Sequence, residues 1–423
     1  MELLRRQPLP PLPLVARDAL LHGRLLPSVV LRPAESVPAG RGARRGAAAE
    51  GRASSGPPGR TLRVVSGLRV GVLGAGFGAA VHVPAFLSEG WEVVALWGRS
   101  GERTREAAAG AGVAAWEGHW RDLIERRDLD AVAIATPPAP HREMVLSAVA
   151  SGKHVLCEKP FALDAAEAAE MAGAASRSGL TAMIAHEFRH APPRAHIARL
   201  LEQGYIGEPL VASLELLIGR PPAGEPPPLT WQGRASDGGG LLGALGSHYI
   251  DGLRHWFGDV EVAGGRLAVL RPERRDPVTG DAALADADDT FSFHLLFRSG
   301  VVATMTATWT AVPAIGARIH LVGSEGVLEA TQPGPNPQPD GVVLGGRAGE
   351  DGLRELPTPS DLVPFRDDRD HRLMAFRLLV RDFERGIRSG TSPAPSFEDG
   401  ARAQAVIDAV RESAEKGSVV ALG

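Results

Sequence analysis

The chain has 423 residues, of which 44% are hydrophobic and 23% charged, and at roughly 150 residues per domain this length predicts two or three domains. A formal net charge of −4 gives no broad basic surface, so we expect no nucleic-acid partner. The single cysteine, Cys157, excludes an internal disulfide and a multi-cysteine metal site, which fits a reducing, cytoplasmic compartment.

Residues 1–66 differ in composition from the rest of the chain. They hold 11 arginines, four acidic residues and nine prolines. This composition predicts a disordered extension, or a start codon assigned too far upstream. Arg5 and Arg6 could begin an export signal and an arginine-rich start could be a transit peptide, but prolines from Pro8 to Pro13 interrupt the segment that follows. We therefore expect a cytoplasmic protein.

Two uncharged stretches, 70–88 and 299–317, are about as long as a membrane span. Glycines and a proline interrupt the first. The second alternates threonines with apolar residues, which is the period of a strand with one polar face. Neither stretch predicts a transmembrane helix, so we expect no membrane partner.

The apolar run Leu68–Leu73 leads through a glycine-rich turn into a helical segment, 80–87. The turn is Gly74-Ala75-Gly76-Phe77-Gly78-Ala79. A G-x-G-x-x-A turn between a strand and a helix is the dinucleotide-binding fingerprint. Gly74 would make the tight turn, Gly76 would admit the pyrophosphate and Ala79 would keep the helix close to the strand. The alternative is an ordinary glycine loop.

A second predicted strand, Trp91–Trp97, indicates which nicotinamide cofactor binds. It ends at Gly98-Arg99-Ser100, without the acidic residue that would bind the ribose 2′-hydroxyl of NAD. Arg99 offers a charge and Ser100 a hydroxyl to a 2′-phosphate. We therefore favour NADP over NAD; the alternative is that Arg99 is a solvated turn residue.

The chain then alternates between helical and apolar segments, which predicts an α/β fold with a doubly wound parallel sheet. The predicted helices are 102–109 and 141–150, and the predicted strands are 131–135, 154–157 and 180–185. Ligands bind beyond the carboxyl ends of such strands. The candidate cofactor residues at these ends are Thr136, Pro137, His141, Glu158 and Lys159.

Lys159 is the residue that we expect to carry the chemistry. It follows a strand that reads as buried, and there desolvation and a nearby nicotinamide cation would favour the neutral amine that can shuttle a proton. The structural alternative is an ion pair with Glu158.

The segment His186-Glu187-Phe188-Arg189-His190 spells H-E-x-x-H, which on a helix would bind zinc. The preceding residues read as a strand, and Pro192-Pro193 disfavours a helix. We therefore expect no metal. Arg189 is a candidate substrate residue, with a structural ion pair as the alternative.

Later segments predict a second domain. Alternating residues at 291–297 and 301–310 predict a hairpin with a threonine-lined face, which is either exposed to solvent or a subunit interface. The helical spacing at 373–387 predicts core residues. Trp231, just beyond a proline-rich loop at 221–228 that we expect to border the substrate pocket, is a candidate substrate contact.

Four motifs together resemble the Gfo/Idh/MocA family, which contains glucose-fructose oxidoreductase and inositol dehydrogenase. They are the glycine turn, Thr136-Pro137-Pro138 with His141, the block Gly152-Lys153-His154-Val155-Leu156-Cys157-Glu158-Lys159-Pro160, and Gly246-Ser247-His248-Tyr249-Ile250-Asp251. The resemblance covers residues 67–423. It implies a Rossmann domain at 67–187 and an α+β domain at 188–423, built on a large, mostly antiparallel open sheet, with final helices that can pack back on the Rossmann domain.

The resemblance also implies an NAD(P)-dependent oxidoreductase that transfers a hydride between the nicotinamide and a carbinol or carbonyl carbon of a sugar, polyol or related ring. Lys159 would be the acid/base and His248 its catalytic partner. Family members associate through the large sheet, which implies a homodimer or homotetramer here.

One position departs from the family pattern. Sugar-oxidising members often carry an aspartate four residues before the histidine, where this chain has Ala244. Asp251, three residues after His248, is a candidate substitute and substrate residue. Because of Ala244, a non-catalytic, cofactor-binding regulatory protein stays the main alternative, and redox-assisted glycoside cleavage is a minor one.

Overall fold

The computed structural model describes residues 67–219, 226–337 and 341–423. The predicted extension at 1–66 and most of the loop at 221–228 lie outside the described residues. Within the described part of the chain, no helix combines the length and apolarity needed to cross a bilayer.

The first sheet has six parallel strands. They are β1 (Arg69–Leu73), β2 (Glu92–Trp97), β3 (Ala115–Glu117), β4 (Ala131–Ile134), β5 (His154–Cys157) and β6 (Ala182–Ile184). Their spatial order is β3-β2-β1-β4-β5-β6. Strands β1, β4 and β5 are almost wholly buried, as expected for a sheet covered on both faces. The predicted doubly wound sheet is confirmed, and its order reverses between β1 and β4, where such sheets bind ligands.

Helices cover this sheet. A π-helical turn (Gly78–His82) leads into α1 (Val83–Ser88), followed by α2 (Gly101–Ala111), α3 (Trp120–Ile124), α4 (His141–Ala150) and α5 (Ala165–Ser178). Helices α2 and α5 end at Gly112 and Gly179, whose φ angles of 71° and 69° favour glycine. Asp164 caps α5 by accepting a hydrogen bond from the backbone N–H of Glu167 (2.8 Å).

The second sheet follows a 3₁₀ turn (Glu187–His190) and α6 (Pro192–Glu202). Its strands are β7 (Pro209–Leu217), β8 (Val260–Ala268), β11 (Thr290–Phe297), β12 (Val302–Thr308), β13 (Gly316–Gly323), β14 (Gly326–Gln332), β15 (Val343–Arg347), β16 (Arg354–Glu355) and β17 (Val420–Ala421); β9 (Glu273–Arg275) and β10 (Ala282–Leu284) form a separate pair. The order is β16-β15-β14-β13-β7-β12-β11-β8-β17. Only β7 and β12 pair in parallel among these described strands, so the large, mostly antiparallel sheet is confirmed.

One face of the second sheet packs against α6, α7 (Ser247–Phe257) and α9 (Phe397–Lys416). A π-helical turn, Leu242–Gly246, leads directly into α7. Along β12, Met305 points into this core and Thr304 and Thr306 are exposed on the other face, which is the alternation expected from the sequence.

The last two long helices connect the second sheet to the first. The apolar face of α8 (Leu373–Ser389) packs into the core beside β1, where Phe376 and Phe383 are fully buried. Burial of such a side chain stabilises the fold by about 1.5–3 kcal/mol. Helix α9 begins with a capping box between Ser396 and Asp399, and its first residue, Phe397, contacts Phe161 at a ring distance of 4.7 Å.

Candidate active site

A cavity of about 1110 Å³ opens at the carboxyl ends of β1, β2, β4 and β5. Its far wall comes from residues that precede α7, follow β12 and β14, and precede α8. The predicted site residues that line it are Gly74, Gly76, Phe77, Arg99, Ser100, Thr136, Pro137, Glu158, Lys159 and Trp231. The volume exceeds that of an ordinary small-molecule pocket, so it can hold a dinucleotide and a substrate together.

The glycine turn fits a dinucleotide. Gly74 has φ 137°, and a Cβ there would lie 2.4 Å from the carbonyl oxygen of Ala135. A Cβ on the exposed Gly76 would meet nothing within 4 Å, so its backbone faces open space that a pyrophosphate can fill. The close contact between helix and strand is at Gly78, where a Cβ would lie 2.9 Å from Val72 Cγ1, whereas Ala79 is only half-buried. The role expected for Ala79 therefore belongs to Gly78.

Two arginines lie at the adenosine end of the cavity. Arg99 follows β2, and Arg103 lies in the first turn of α2, whose N-cap is Ser100. Neither guanidinium has a carboxylate or hydrogen-bond partner among the described residues. Both are exposed and free to bind an anion, and the N-terminus of α2 adds backbone N–H groups.

His141 does not reach the cavity. Its side chain is fully buried, and its ring nitrogens lie 3.1 Å from the carbonyl oxygen of Phe161 and 3.0 Å from that of Thr136. Burial lowers the pKa of the ring. The side chain turns inward and links two loops, of which Thr136 and Pro137 do line the cavity, so a direct cofactor contact of His141 stays a prediction.

Glu158 and Lys159 follow β5 at the floor of the cavity. Glu158 Oε1 lies 3.0 Å from His82 Nε2, and Glu158 Oε2 accepts a hydrogen bond from the backbone N–H of Lys159 (3.1 Å). Burial alone would raise the pKa of Glu158, but the bond to His82 and the charge of Lys159 lower it overall. Glu158 therefore carries a fixed negative charge beside the cavity.

The Lys159 side chain makes a different contact from the ion pair considered above. Its Nζ donates to the carbonyl oxygen of Ala244 (3.1 Å), and the peptide bond to Pro160 is cis. Ala244 itself lines the cavity, so the missing carboxylate would have stood directly beside the lysine.

His248 is buried behind this wall. Its ring stacks on Phe188 (centroid distance 3.8 Å), and its Nε2 lies 3.9 Å from Oε2 of Glu187. Burial, followed by the charges of Lys159 and His186, lowers the pKa of His248 well below its ordinary value. The ring is therefore neutral at neutral pH. Because it is buried, it can act on a molecule in the cavity only through the groups that lie between them.

Arg189 and Asp251 bind each other. Arg189 donates two hydrogen bonds to the Asp251 carboxylate, at 2.7 and 2.6 Å, and reaches Asp399 at 3.2 Å. His186 Nδ1 lies 3.1 Å from Asp251 Oδ1. Burial alone would raise the pKa of Asp251, but the charges of His186 and Arg189 lower it far below its usual range. The two charges are buried together away from the cavity, so the expected substrate roles of both residues stay predictions.

The H-E-x-x-H segment forms a 3₁₀ turn and not the helix that zinc binding requires. His186 faces Asp251, whereas His190 lies 3.7 Å from Asp382. No group of three potential metal ligands occurs in the described ranges. Pro192 opens α6, where a first-turn proline costs no hydrogen bond.

The cavity also has residues that no motif indicated. They are Arg103, Gln232, Asp237, Trp309, Asn336 and Arg372. Arg372 lies over the Phe77 ring at 5.3 Å and is held by Asp370. The only sequence signal for Arg372 is its position just before the amphipathic α8.

The fold and this cavity agree with comparisons to known proteins. The family GFO_IDH_MocA, an oxidoreductase family with a NAD-binding Rossmann fold, matches residues 68–186, and its C-terminal alpha/beta domain matches residues 198–422. The chain therefore belongs to the Gfo/Idh/MocA oxidoreductase family, which confirms the resemblance and the expected class of NAD(P)-dependent dehydrogenases.

Several relatives align along most of the chain. An uncharacterized oxidoreductase of Synechocystis is 29% identical over 84% of this chain and 96% of its own length. Levoglucosan dehydrogenase of Pseudarthrobacter phenanthrenivorans is 29% identical, over 84% of this chain and 97% of its own. A solved structure of levoglucosan dehydrogenase with NADH and levoglucosan has a TM-score of 0.76 at 27% identity, covering 84% of this chain and 99% of that one.

Proposed function

We propose that the protein is an NADP-preferring dehydrogenase or reductase of a neutral, sugar-like or related cyclic substrate, with Lys159 as the proton-transferring group. The observation that carries this proposal is the cavity, in which Lys159 and the open backbone of Gly76 share one wall. A bound nicotinamide would supply hydride transfer.

The preference for NADP rests on Arg99 and Arg103. Two unpaired guanidinium groups beside a helix N-terminus can bind a 2′-phosphate, and hydrogen bonds to charged groups contribute about 1.5–3 kcal/mol.

We therefore expect Arg99→Ala to weaken NADPH binding by roughly tenfold or more, since about 1.4 kcal/mol is a factor of ten, and to leave NADH binding nearly unchanged. Fluorescence titration measures both dissociation constants. Arg105→Ala, an exposed change on the same helix away from the cavity, is the control. Tighter binding of NADH than of NADPH by the unchanged protein would contradict the preference.

The proton chemistry follows from the position of Lys159. In alcohol oxidation its neutral amine takes the hydroxyl proton as the hydride leaves the carbon, and in ketone reduction its ammonium returns that proton. The carbonyl oxygen of Ala244 orients the amine at 3.1 Å. His248, neutral and buried, is the second group that we place in proton transfer.

The opposite wall supports a ring substrate. Trp231 and Trp309 give the cavity flat apolar surfaces, and Gln232, Asp237 and Asn336 give it polar groups. A sugar ring has apolar faces and polar edges, so this lining suits it. The similarity to levoglucosan dehydrogenase adds anhydrosugars to the candidate substrates.

Ala244 favours one other function, a cofactor-binding regulator without turnover. Polyols, sugars, anhydrosugars and small ketones, each tested with both cofactors in both directions, separate the two functions. Turnover of a cyclic alcohol or ketone supports the enzyme, whereas tight cofactor binding without turnover across the panel supports the regulator.

The exposed face of the second sheet is the surface through which we propose that the protein forms a homodimer or homotetramer. It carries Val211 and Val302 beside the threonines of β12, which gives a flat face of mixed polarity. Light scattering coupled to chromatography measures the mass.

A further inference from the structure

Four ionisable side chains lie at or just behind the cavity wall. Glu158 and Lys159 follow β5, Glu187 follows β6, and His248 lies in the first turn of α7. We call these four residues the proton cluster. Glu187 and His248 do not line the cavity, whereas Glu158 and Lys159 do.

Glu187 has no assigned partner for its buried oxygen. Its side chain is 7% exposed, and Oε2 makes no hydrogen bond among the described residues. Within the proton cluster, Oε2 lies 3.9 Å from His248 Nε2. A buried oxygen without a hydrogen bond destabilises the fold, so its presence at this position calls for a functional explanation.

Burial and three charged residues shift the pKa of Glu187. Burial and the negative charge of Glu158 raise its pKa, whereas the charges of Lys159 and of Arg372, just before α8, lower it. The balance raises the pKa of Glu187 to about 8. Glu187 is therefore protonated at neutral pH and ionises within a working pH range.

We propose that Glu187 replaces the carboxylate that Ala244 lacks, by holding the proton that Lys159 exchanges with the substrate. This inference rests on the proposed function. In alcohol oxidation the hydroxyl proton passes to the Lys159 amine, and the resulting ammonium passes a proton through the neutral His248 ring to the Glu187 carboxylate. A bound nicotinamide would accept the hydride, so that one proton and one hydride would leave the alcohol. Reduction reverses each transfer.

Glu187 is thus a positioning residue that acts through Lys159, and the pH profile reports its role. Oxidation needs the carboxylate and reduction the carboxyl form. Oxidation is therefore expected to rise, and reduction to fall, as pH increases through about 8.

Glu187→Gln is expected to lower kcat by about tenfold or more, with KM little changed. It is also expected to abolish both the rise of the oxidation rate and the fall of the reduction rate near pH 8. Glu187→Asp keeps a carboxyl and is expected to keep both pH effects. Glu329→Gln is the matched control, since it breaks a glutamate–histidine pair with His320 (3.4 Å) on the second sheet.

A second measurement needs neither substrate nor cofactor. Infrared spectroscopy of the cofactor-free protein detects a protonated carboxyl group. Burial raises the pKa of Asp288 to about 6, so a band that persists above this pH and disappears near 8 belongs to Glu187. We expect the Gln variant to lack it. This test also works on the unchanged protein if Glu187→Gln does not fold.

The outcomes separate the two proposals. Suppose that turnover depends on Lys159. A wild-type pH profile in Glu187→Gln, or the absence of the infrared band, then overturns the role of Glu187 and leaves the proposed function standing. Absence of turnover on every substrate overturns the proposed function, and the infrared titration then still decides whether Glu187 holds a proton.

Discussion

Replacing Lys159 with alanine is expected to lower kcat by roughly two or more orders of magnitude, the range for a positioned acid or base. The variant keeps the glycine turn, which we propose binds the cofactor through its backbone groups, so the dissociation constant of NADPH should change little. We expect this loss of activity because the Lys159 side chain reaches the cavity from the end of β5, where its Nζ donates a hydrogen bond to the carbonyl oxygen of Ala244 at 3.1 Å.

Steady-state kinetics and cofactor titration measure the two effects separately. A small primary amine added to Lys159→Ala should restore part of the activity, since it supplies the missing proton acceptor. Lys416→Ala, which removes an exposed lysine paired with Glu412, is the control. Full activity of Lys159→Ala would remove this residue from the mechanism.

Asp251→Ala is expected to have the largest effect on stability. The substitution leaves the Arg189 guanidinium, only 7% exposed, beside an empty position, and breaking a buried ion pair costs about 3–5 kcal/mol. Replacing both residues with apolar ones, as in Arg189→Met with Asp251→Leu, should recover much of this loss. Urea unfolding of the variants measures the free energies.

The same pair predicts a pH dependence. The pKa of Asp251 is depressed in the folded protein, so its stabilising contribution is present above the unfolded pKa of about 3.9 and is lost as pH falls below it. The stability difference between the unchanged protein and Asp251→Ala should therefore shrink on acidification. A stable Asp251→Ala that loses only substrate affinity would instead place this carboxylate in the substrate site.

The sequence located the residues that follow parallel strands. Gly74, Arg99, Thr136 and Lys159 each lie within two residues of the end of a strand, and a parallel sheet brings these ends together whatever the later packing does. The Gly78 contact could not be distinguished from one at Ala79, because strand-to-helix spacing does not give the direction of the first helical turn.

Residues one turn further from a strand were harder to place. His141 and Arg189 turn inward, because their polar groups find partners in the core that are distant in sequence. The partner of Arg189, Asp251, is 62 residues away. Trp309 and Arg372 reach the cavity only because the end of β12 and the start of α8 face the first sheet across it, and no local pattern records that arrangement.

The path of α8 has a consequence for the architecture as a whole. Its Phe376 and Phe383 complete the core beside β1, while Arg372, just ahead of it, touches the ring of Phe77 in the glycine turn. A fragment ending after β6 would therefore expose to water the apolar surface beside β1 that α8 covers. It would also lose one edge of the nucleotide pocket. The two halves of the chain are consequently interdependent in folding, and exchanging one of them between relatives requires carrying this returning helix along with the N-terminal half.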